Sequence, residues 1–285
     1  MNQLSRKAGQ VKLPKLGIIR FTKSREIEGR IKHITISKNC NKWYIAFNCE
    51  QSISQPETRQ KSSIGIDRGI KTFAQCSDGT TILSISPLKK NLNRLGKLQR
   101  KLAKKKKFSS NWRKTKAKIG KQHQYIANSR KDFLHKVSSQ LAKSHSLIVM
   151  EALKTKDMSK SAKGTQENPG TNVKAKSGLN RSILDQGWYM FEQFLRYKLN
   201  WKGGELILIN PKNTSVRCRI CGYVSKENRI IQAEFFCLNC GHSENADVNA
   251  SINILAEGHS VIACGVEAIA STVKQELPVR KPLAV

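Results

Sequence analysis

Four cysteines stand as two Cys-x-x-Cys pairs, Cys218/Cys221 and Cys237/Cys240, with the fifteen residues 222–236 between them. Soft thiolates at that spacing suit a tetrahedral four-sulfur zinc site. Gly222 and Gly241 each follow a pair, where backbone must pass close to sulfur. All four ligand positions are filled, so the zinc is structural and His242 stays outside the shell. Two disulfides are the alternative, disfavoured in a reducing compartment.

Seven residues past Cys240 stands Asp247, in a chain with 52 Lys and Arg against 20 Asp and Glu and a formal charge of +32. Two other acids share its kind of placement. The apolar runs "SSIGID" and "HSLIVME" end in Asp67 and Glu151, whereas Asp247 opens the helix read at 246–257. One such acid alone reads as a cap or a surface charge, and Asp247 suits a first helical turn by the dipole alone. Three in matching places, in a chain this poor in acids, suit another task. Hard carboxylate oxygens converging from distant segments hold magnesium or manganese, and two such ions about 3.5–4 Å apart hydrolyse a phosphodiester. In "NADVNASINIL" the residues Val248, Ile252 and Leu255 form the expected core stripe, with Asp247 at its border.

The elements that must position these groups follow from periodicity. Residues 11–50 read as β. "GRIKHITISK", with its imperfect alternation of Ile31, Ile34 and Ile36, pairs with "KWYIAFNCE" as a hairpin. Residues 51–62 read as a linker. The stretches "SSIGID", "KTFAQC" and "TILSIS" give a meander with a turn at Asp78-Gly79. Helices fill 88–145, broken near "FSSNW"; "HSLIVME" and "ELILINP" are strands buried on both faces. Residues 154–181 are expected as a mobile loop. One amphipathic core helix is expected over "ILDQGWYMFEQFLRYKLNW", and the tail after the last helix has no pattern.

From Gly79 to Lys131 there is no acid but 17 Lys or Arg. An acid-free run of this length repels itself unless a polyanion lies beside it, which points to nucleic acid. No apolar run is long enough to span a bilayer and "MNQLSRKAGQ" has no apolar h-region, so the expectation is a cytoplasmic protein with no membrane partner. Cys40, Cys49, Cys76 and Cys264 are expected as free thiols. The 38% hydrophobic content suffices for one large α/β domain or two modest ones.

"GIDRGI", "IVMEAL", "NVKAKSGLNRSI", "TSVRCRICG", "CLNCGHSENADVNASINIL" and "GHSVIACG" together resemble the TnpB (OrfB) family of insertion-sequence proteins, relatives of type V CRISPR effectors. The resemblance spans roughly 10–280. It implies a RuvC-like nuclease of RNase H-like fold, a mixed sheet with an inserted zinc ribbon, in which Asp67, Glu151 and Asp247 are the catalytic metal-binding acids. It also implies a transposon-encoded guide RNA as partner and DNA as substrate, cut beside a short motif. The expected organisation is a partial wedge-like β domain at 1–55 and a nuclease domain at 63–285. Within the latter lie a basic helical segment, 88–145, and the ribbon, 213–245. Family members carry a helical lobe ahead of "VKLPKLGIIRF", which is expected to be absent here. The alternative is therefore a truncated binder that regulates transposition without cutting. A strand-transferring transposase ranks lower: no tyrosine or serine recombinase signature is present, and Tyr189 and Tyr197 fall on the expected core helix.

Overall fold

The computed structural model describes residues 2–5, 8–40, 42–51, 62–229, 231 and 233–263. The expected linker, the C-terminal tail and Cys264 lie wholly or mostly outside them. The chain divides into two units, one of residues 1–55 with 94–125 and one of 56–93 with 126–285.

In the first unit β1 (Asn2–Ser5), β2 (Ala8–Leu13) and β3 (Gly17–Thr22) form an antiparallel sheet, and β4 (Arg30–Asn39) and β5 (Lys42–Glu50) form the expected hairpin. A bulge between Ile31 and His33 explains the broken alternation in β4. The extra residue returns Ile34 and Ile36 to the face of Ile31, opposite Phe47 and Ile45.

The second unit is built on a five-stranded mixed sheet. Its strands are β6 (Ser62–Arg68), β7 (Thr72–Cys76), β8 (Thr81–Leu83), β9 (His145–Glu151) and β10 (Glu205–Ile209), in the order β10-β9-β6-β7-β8. The first three in that order are parallel, and β7 and β8 run antiparallel to their neighbours. Helices α1 (Pro87–Ala103) and α2 (Ser110–Ser144) come between β8 and β9 in sequence. Between β9 and β10 come α3 (Thr155–Met158), α4 (Val173–Gln186) and α5 (Trp188–Asn200). The chain then forms β11 (Glu234–Phe236), β12 (Ser243–Asn245) and α6 (Ala246–Ala263).

Both faces of the sheet are covered, as the continuous apolar runs require. Ile64, Ile66, Ile148 and Met150 pack with Phe73, Leu134, Phe191 and Leu195 on one side. Val149, Ile207 and Ile209 pack with Ile254 of α6 on the other.

Three expectations fail in detail. Residues 155–158 (α3) and 173–181 (within α4) are helical, not loop. α4 buries only Ile183, Asp185 and Gln186, all beyond 181, so the Lys- and Ser-rich stretch before them carries no apolar period. The single core helix is two, α4 and α5, because Gly187 adopts a left-handed conformation (φ 71°) between them. A Cβ there would crowd Leu134 at 3.1 Å and Arg130 at 3.0 Å. Finally, α6 continues past 257 to Ala263, and its fully buried positions include Ala250, Ser251, Ile254 and Gly258. Of the expected stripe, Leu255 packs half-buried against the core, and Val248 and Ile252 are only partly buried. Small residues allow the closest approach to the sheet, so the most tightly packed face is not the most apolar one.

That approach is set by two glycines. A Cβ on Gly65 of β6 would lie 2.2 Å from the Ser251 carbonyl oxygen, and one on Gly258 would lie 2.4 Å from a Val149 methyl. We expect Gly65→Ala to lower stability by about 1–3 kcal/mol, because backbone must yield. Gly96→Ala on α1, where a Cβ meets nothing within 4 Å, should leave stability unchanged or raise it. Thermal unfolding of the two variants checks the contrast.

Candidate active site and metal centre

The parallel pairing of β6 with β9 sets Gly65 against Val149 and Ile66 against Met150. The next pair along, Asp67 and Glu151, therefore stands abreast at the ends of adjacent strands. Side chains two apart share a face, so both acids project toward the α6 side, where Gly65 and Val149 touch the helix. On α6 itself Asp247, Ser251 and Leu255 follow at four-residue steps, and the contact of Gly65 with Ser251 and Leu255 puts Asp247 one turn further along that line. All three acids line one cavity of about 340 Å³, together with Arg68, Gln75, Thr214 and Arg229.

The acids crowd one another. Burial first, then the charges of Glu151 and Asp247, push the Asp67 carboxyl up from 3.8 to about 7. Burial raises Glu151 as well, opposed by a hydrogen bond that Thr214 Oγ1 donates at 2.5 Å and by the charge of Arg68. Arg229 Nη2 pairs with Asp247 Oδ1 at 3.1 Å. Arg68 is buried (7% exposed) and donates to the backbone carbonyl of Glu151. Thr214, Arg229 and Arg68 escaped the sequence reading; the placement of Arg68 directly after Asp67 was the only hint.

The four cysteine sulfurs lie within 4.8 Å of one another, with Cys218 and Cys237 buried and Cys221 and Cys240 exposed. The two turns match. Cys218 N–H donates to Tyr223 O at 2.9 Å and Cys237 N–H to His242 O at 2.8 Å, while Gly222 and Gly241 hold φ of 74° and 72°. Hydrogen bonds from the Tyr223 backbone and the Asn239 side chain draw the Cys221 thiol down to about 6. Cys240, despite a hydrogen bond from the His242 backbone, is pushed up to about 12 by its bond to Cys221, as expected of close thiols that share a proton until a metal replaces it. This donor set fits zinc, and the four cysteines, not His242, would hold it. His242 faces Glu244 at 3.5 Å instead.

The cysteine module grips α6. Asn245 Oδ1 caps the helix, accepting from the N–H groups of Asp247 and Val248 at 3.0 and 3.2 Å. Asn249 donates to Arg217 O at 2.9 Å and accepts from Arg219 N–H at 3.1 Å. Asn253 donates to Thr214 O at 3.0 Å and to Arg217 O at 2.8 Å. Asparagine at every fourth position, 245, 249 and 253, was the available signal for this clamp.

Residues 46–162 match the family described as "Probable transposase", OrfB of the IS605 type, and residues 188–254 match a "Cas12f1-like, TNB domain". The chain is 48% identical over 263 residues to the "Putative RNA-guided DNA endonuclease InsQ" of Escherichia coli (strain K12). That match covers 92% of this chain and 65% of the relative. The chain belongs to the OrfB/TnpB family. A "Putative RNA-guided DNA endonuclease" of Streptomyces pristinaespiralis is 32% identical over 81% of this chain and 54% of its own length. The chain thus spans between half and two thirds of these two curated relatives. Among solved structures, a Cas12f1-sgRNA-target DNA complex overlays 78% of this chain and 55% of that one, with TM-score 0.43 and 20% identity.

Two predictions follow for this OrfB/TnpB chain. Because the cysteine module holds α6, Cys237→Ser should remove one equivalent of bound zinc and lower the melting temperature by several degrees; metal analysis with calorimetry checks both. The raised Asp67 carboxyl makes the folded, metal-free chain bind more protons than the unfolded one between pH 4 and about 7. Its stability should therefore fall as pH rises across that window and level off above it. Asp67→Asn should flatten this fall and stabilise the metal-free protein at pH 8 by on the order of 2–4 kcal/mol, read from denaturant unfolding.

Proposed function

We propose that this chain carries the nuclease core of an RNA-guided DNA endonuclease. The observation that carries the reading is the convergence of Asp67, Glu151 and Asp247, from two strands and a helix, in one cavity of a chain with formal charge +32. The order and directions of the five strands support an RNase H-like, RuvC-type core. On this reading the nuclease domain is 63–285 with the basic helices 88–145 and the zinc ribbon 213–245, and residues 1–55 are a wedge-like β domain. The names of the InsQ and Streptomyces relatives support DNA as substrate and RNA as guide. Among the described residues no helix is long and apolar enough to cross a membrane, which is compatible with work on cytoplasmic nucleic acid.

Asp67, Glu151 and Asp247 would hold magnesium or manganese ions, which when bound supply an activated water and neutralise charge on the phosphate. The chain's own part is positional. Register holds Asp67 beside Glu151, and Thr214 fixes one Glu151 oxygen. Arg229 keeps a cation beside Asp247, next to where charge builds on the cleaved phosphate. The four-thiolate site leaves no open position and takes no part in chemistry. Binding without cutting is not favoured, since all three acids line the same cavity.

The test is cleavage of plasmid DNA by protein copurified with RNA from its own flanking locus. Asp67→Ala, Glu151→Ala and Asp247→Ala should each reduce magnesium-dependent cutting by roughly a thousandfold or more with DNA affinity nearly unchanged. A fully active Asp67→Ala protein removes the assignment. The affinity itself should fall steeply with salt, the log–log slope growing by about 0.9 per duplex phosphate neutralised.

A further inference from the structure

A second cavity, of about 780 Å³, shares the wall Arg68–Lys71 with the acidic one. This wall is the end of β6 and the turn into β7. The rest is the segment leading into α1, the first turn of α1, one face of α4 and Trp188. On α4 the lining residues Gly178, Arg181, Ser182 and Asp185 fall at i, i+3, i+4 and i+7, so a whole helical stripe faces the space.

The lining is cationic. Lys71, Lys89 and Arg181 join Arg68, and the one acid is Asp185. That acid is already engaged. Its Oδ2 accepts from the backbone N–H groups of Leu88 and Lys89 at 2.9 and 3.3 Å, and its Oδ1 pairs with Arg130 at 2.6 Å. It caps α1 and leaves the lysines and Arg181 without a neutralising partner in the lining. Ser86 contributes a backbone with φ of 40°, a left-handed conformation costly for a non-glycine residue and often kept where a site needs it. The volume lies in the range that encloses a ligand the size of a nucleotide or two. It is too small for a duplex.

We propose that this cavity holds the sugar–phosphate backbone of the DNA strand being cut, beside the phosphate that enters the acidic cavity, with Lys71, Lys89 and Arg181 on its phosphates. The proposal rests on the nuclease reading and extends it: the turn Arg68–Lys71 separates a subsite that attracts phosphate from one that gathers acids. A strand crossing this turn meets both in succession.

The experiment uses the full zinc-loaded chain without added magnesium or manganese, and fluorescence anisotropy of a DNA octamer and an RNA octamer of the same sequence. Gly178→Phe narrows the cavity without changing charge; a Cβ at Gly178 meets nothing within 4 Å, and the melting temperature checks that the fold is kept. The pair Lys89→Ala/Arg181→Ala removes charge without filling space. Both variants should bind the DNA octamer at least tenfold more weakly, with wild-type melting temperatures. The charge variant should also lower the log–log salt slope by about 1.4, the value for two single-strand phosphates. Wild-type affinity and slope in both variants overturn the proposal. So does a loss confined to the RNA octamer, or a wild-type chain that binds no DNA octamer. The measurement needs neither magnesium, manganese nor cleavage. A failure of the acid-to-alanine test would sink the nuclease reading and leave this binding result standing on its own.

Discussion

Repulsion among three carboxylates is the constraint to which the second unit answers. At an effective dielectric of 20, two unit charges about 4 Å apart oppose each other by roughly 4 kcal/mol. The upward shift of Asp67, driven by burial and by both neighbouring acids, is the local sign of it. Three separate parts of the fold hold the acids against this force. The β6–β9 ladder fixes Asp67 beside Glu151 through backbone hydrogen bonds, which side-chain repulsion cannot easily undo. The paired glycine contacts at Gly65 and Gly258 press α6 onto that ladder. The asparagine contacts at 245, 249 and 253 hold the helix from its other side.

The ribbon's contribution is therefore mechanical. A segment this small has almost no core of its own; Phe235 and Ala246 pack directly against Cys218 and Cys237. Such modules draw their folding energy from the metal. Asn228 at its centre is fully buried, donating to Val216 O at 3.0 Å and accepting from Leu238 N–H at 3.1 Å, so it ties the two cysteine turns together. β12 runs without interruption into α6, and any loosening of the sulfur cluster reaches Asp247 within a few residues.

How much of this was legible in the residues depended on what kind of signal each element carried. The strands ending in Asp67 and Glu151 were readable because a short apolar run with an acid at its end has few other readings. The cysteine spacing was equally plain. What was not readable was relative placement. Nothing local says that Gly65 is a contact point and not a weak strand residue, and for the same reason the apolar stripe of α6 found Leu255 on the packed face but missed Ser251 and Gly258. Close packing selects small side chains, and small side chains carry little hydrophobic signal. α4 was hidden by a different cause. Its first two turns are rich in Lys, Ser, Asn and Gly, a composition that also describes a loop. Its apolar Leu179 and Leu184 are exposed, and its buried residues Ile183, Asp185 and Gln186 cluster at its end, so no apolar period announces a helix.

Arginines and lysines outnumber acids by 52 to 20, yet the acidic cavity is not quenched, and the reason lies in how nearby cations are committed. Arg68 follows Asp67 directly but spends a donor on the backbone carbonyl of Glu151, leaving that carboxylate to Thr214. Arg130 is held by Asp185, Arg217 by Glu257 and Arg219 by Glu244. Among the described residues, Arg229 alone forms an ion pair with one of the three acids, and its partner Asp247 keeps a side chain 40% exposed. The acids outside the cavity thus engage arginines elsewhere, and the cations that line the cavity itself are Arg68, Lys71 and Arg229. With one of these spent on a backbone carbonyl and one on Asp247, the clustered carboxylates stay short of cations from the chain and suited to ions from solution.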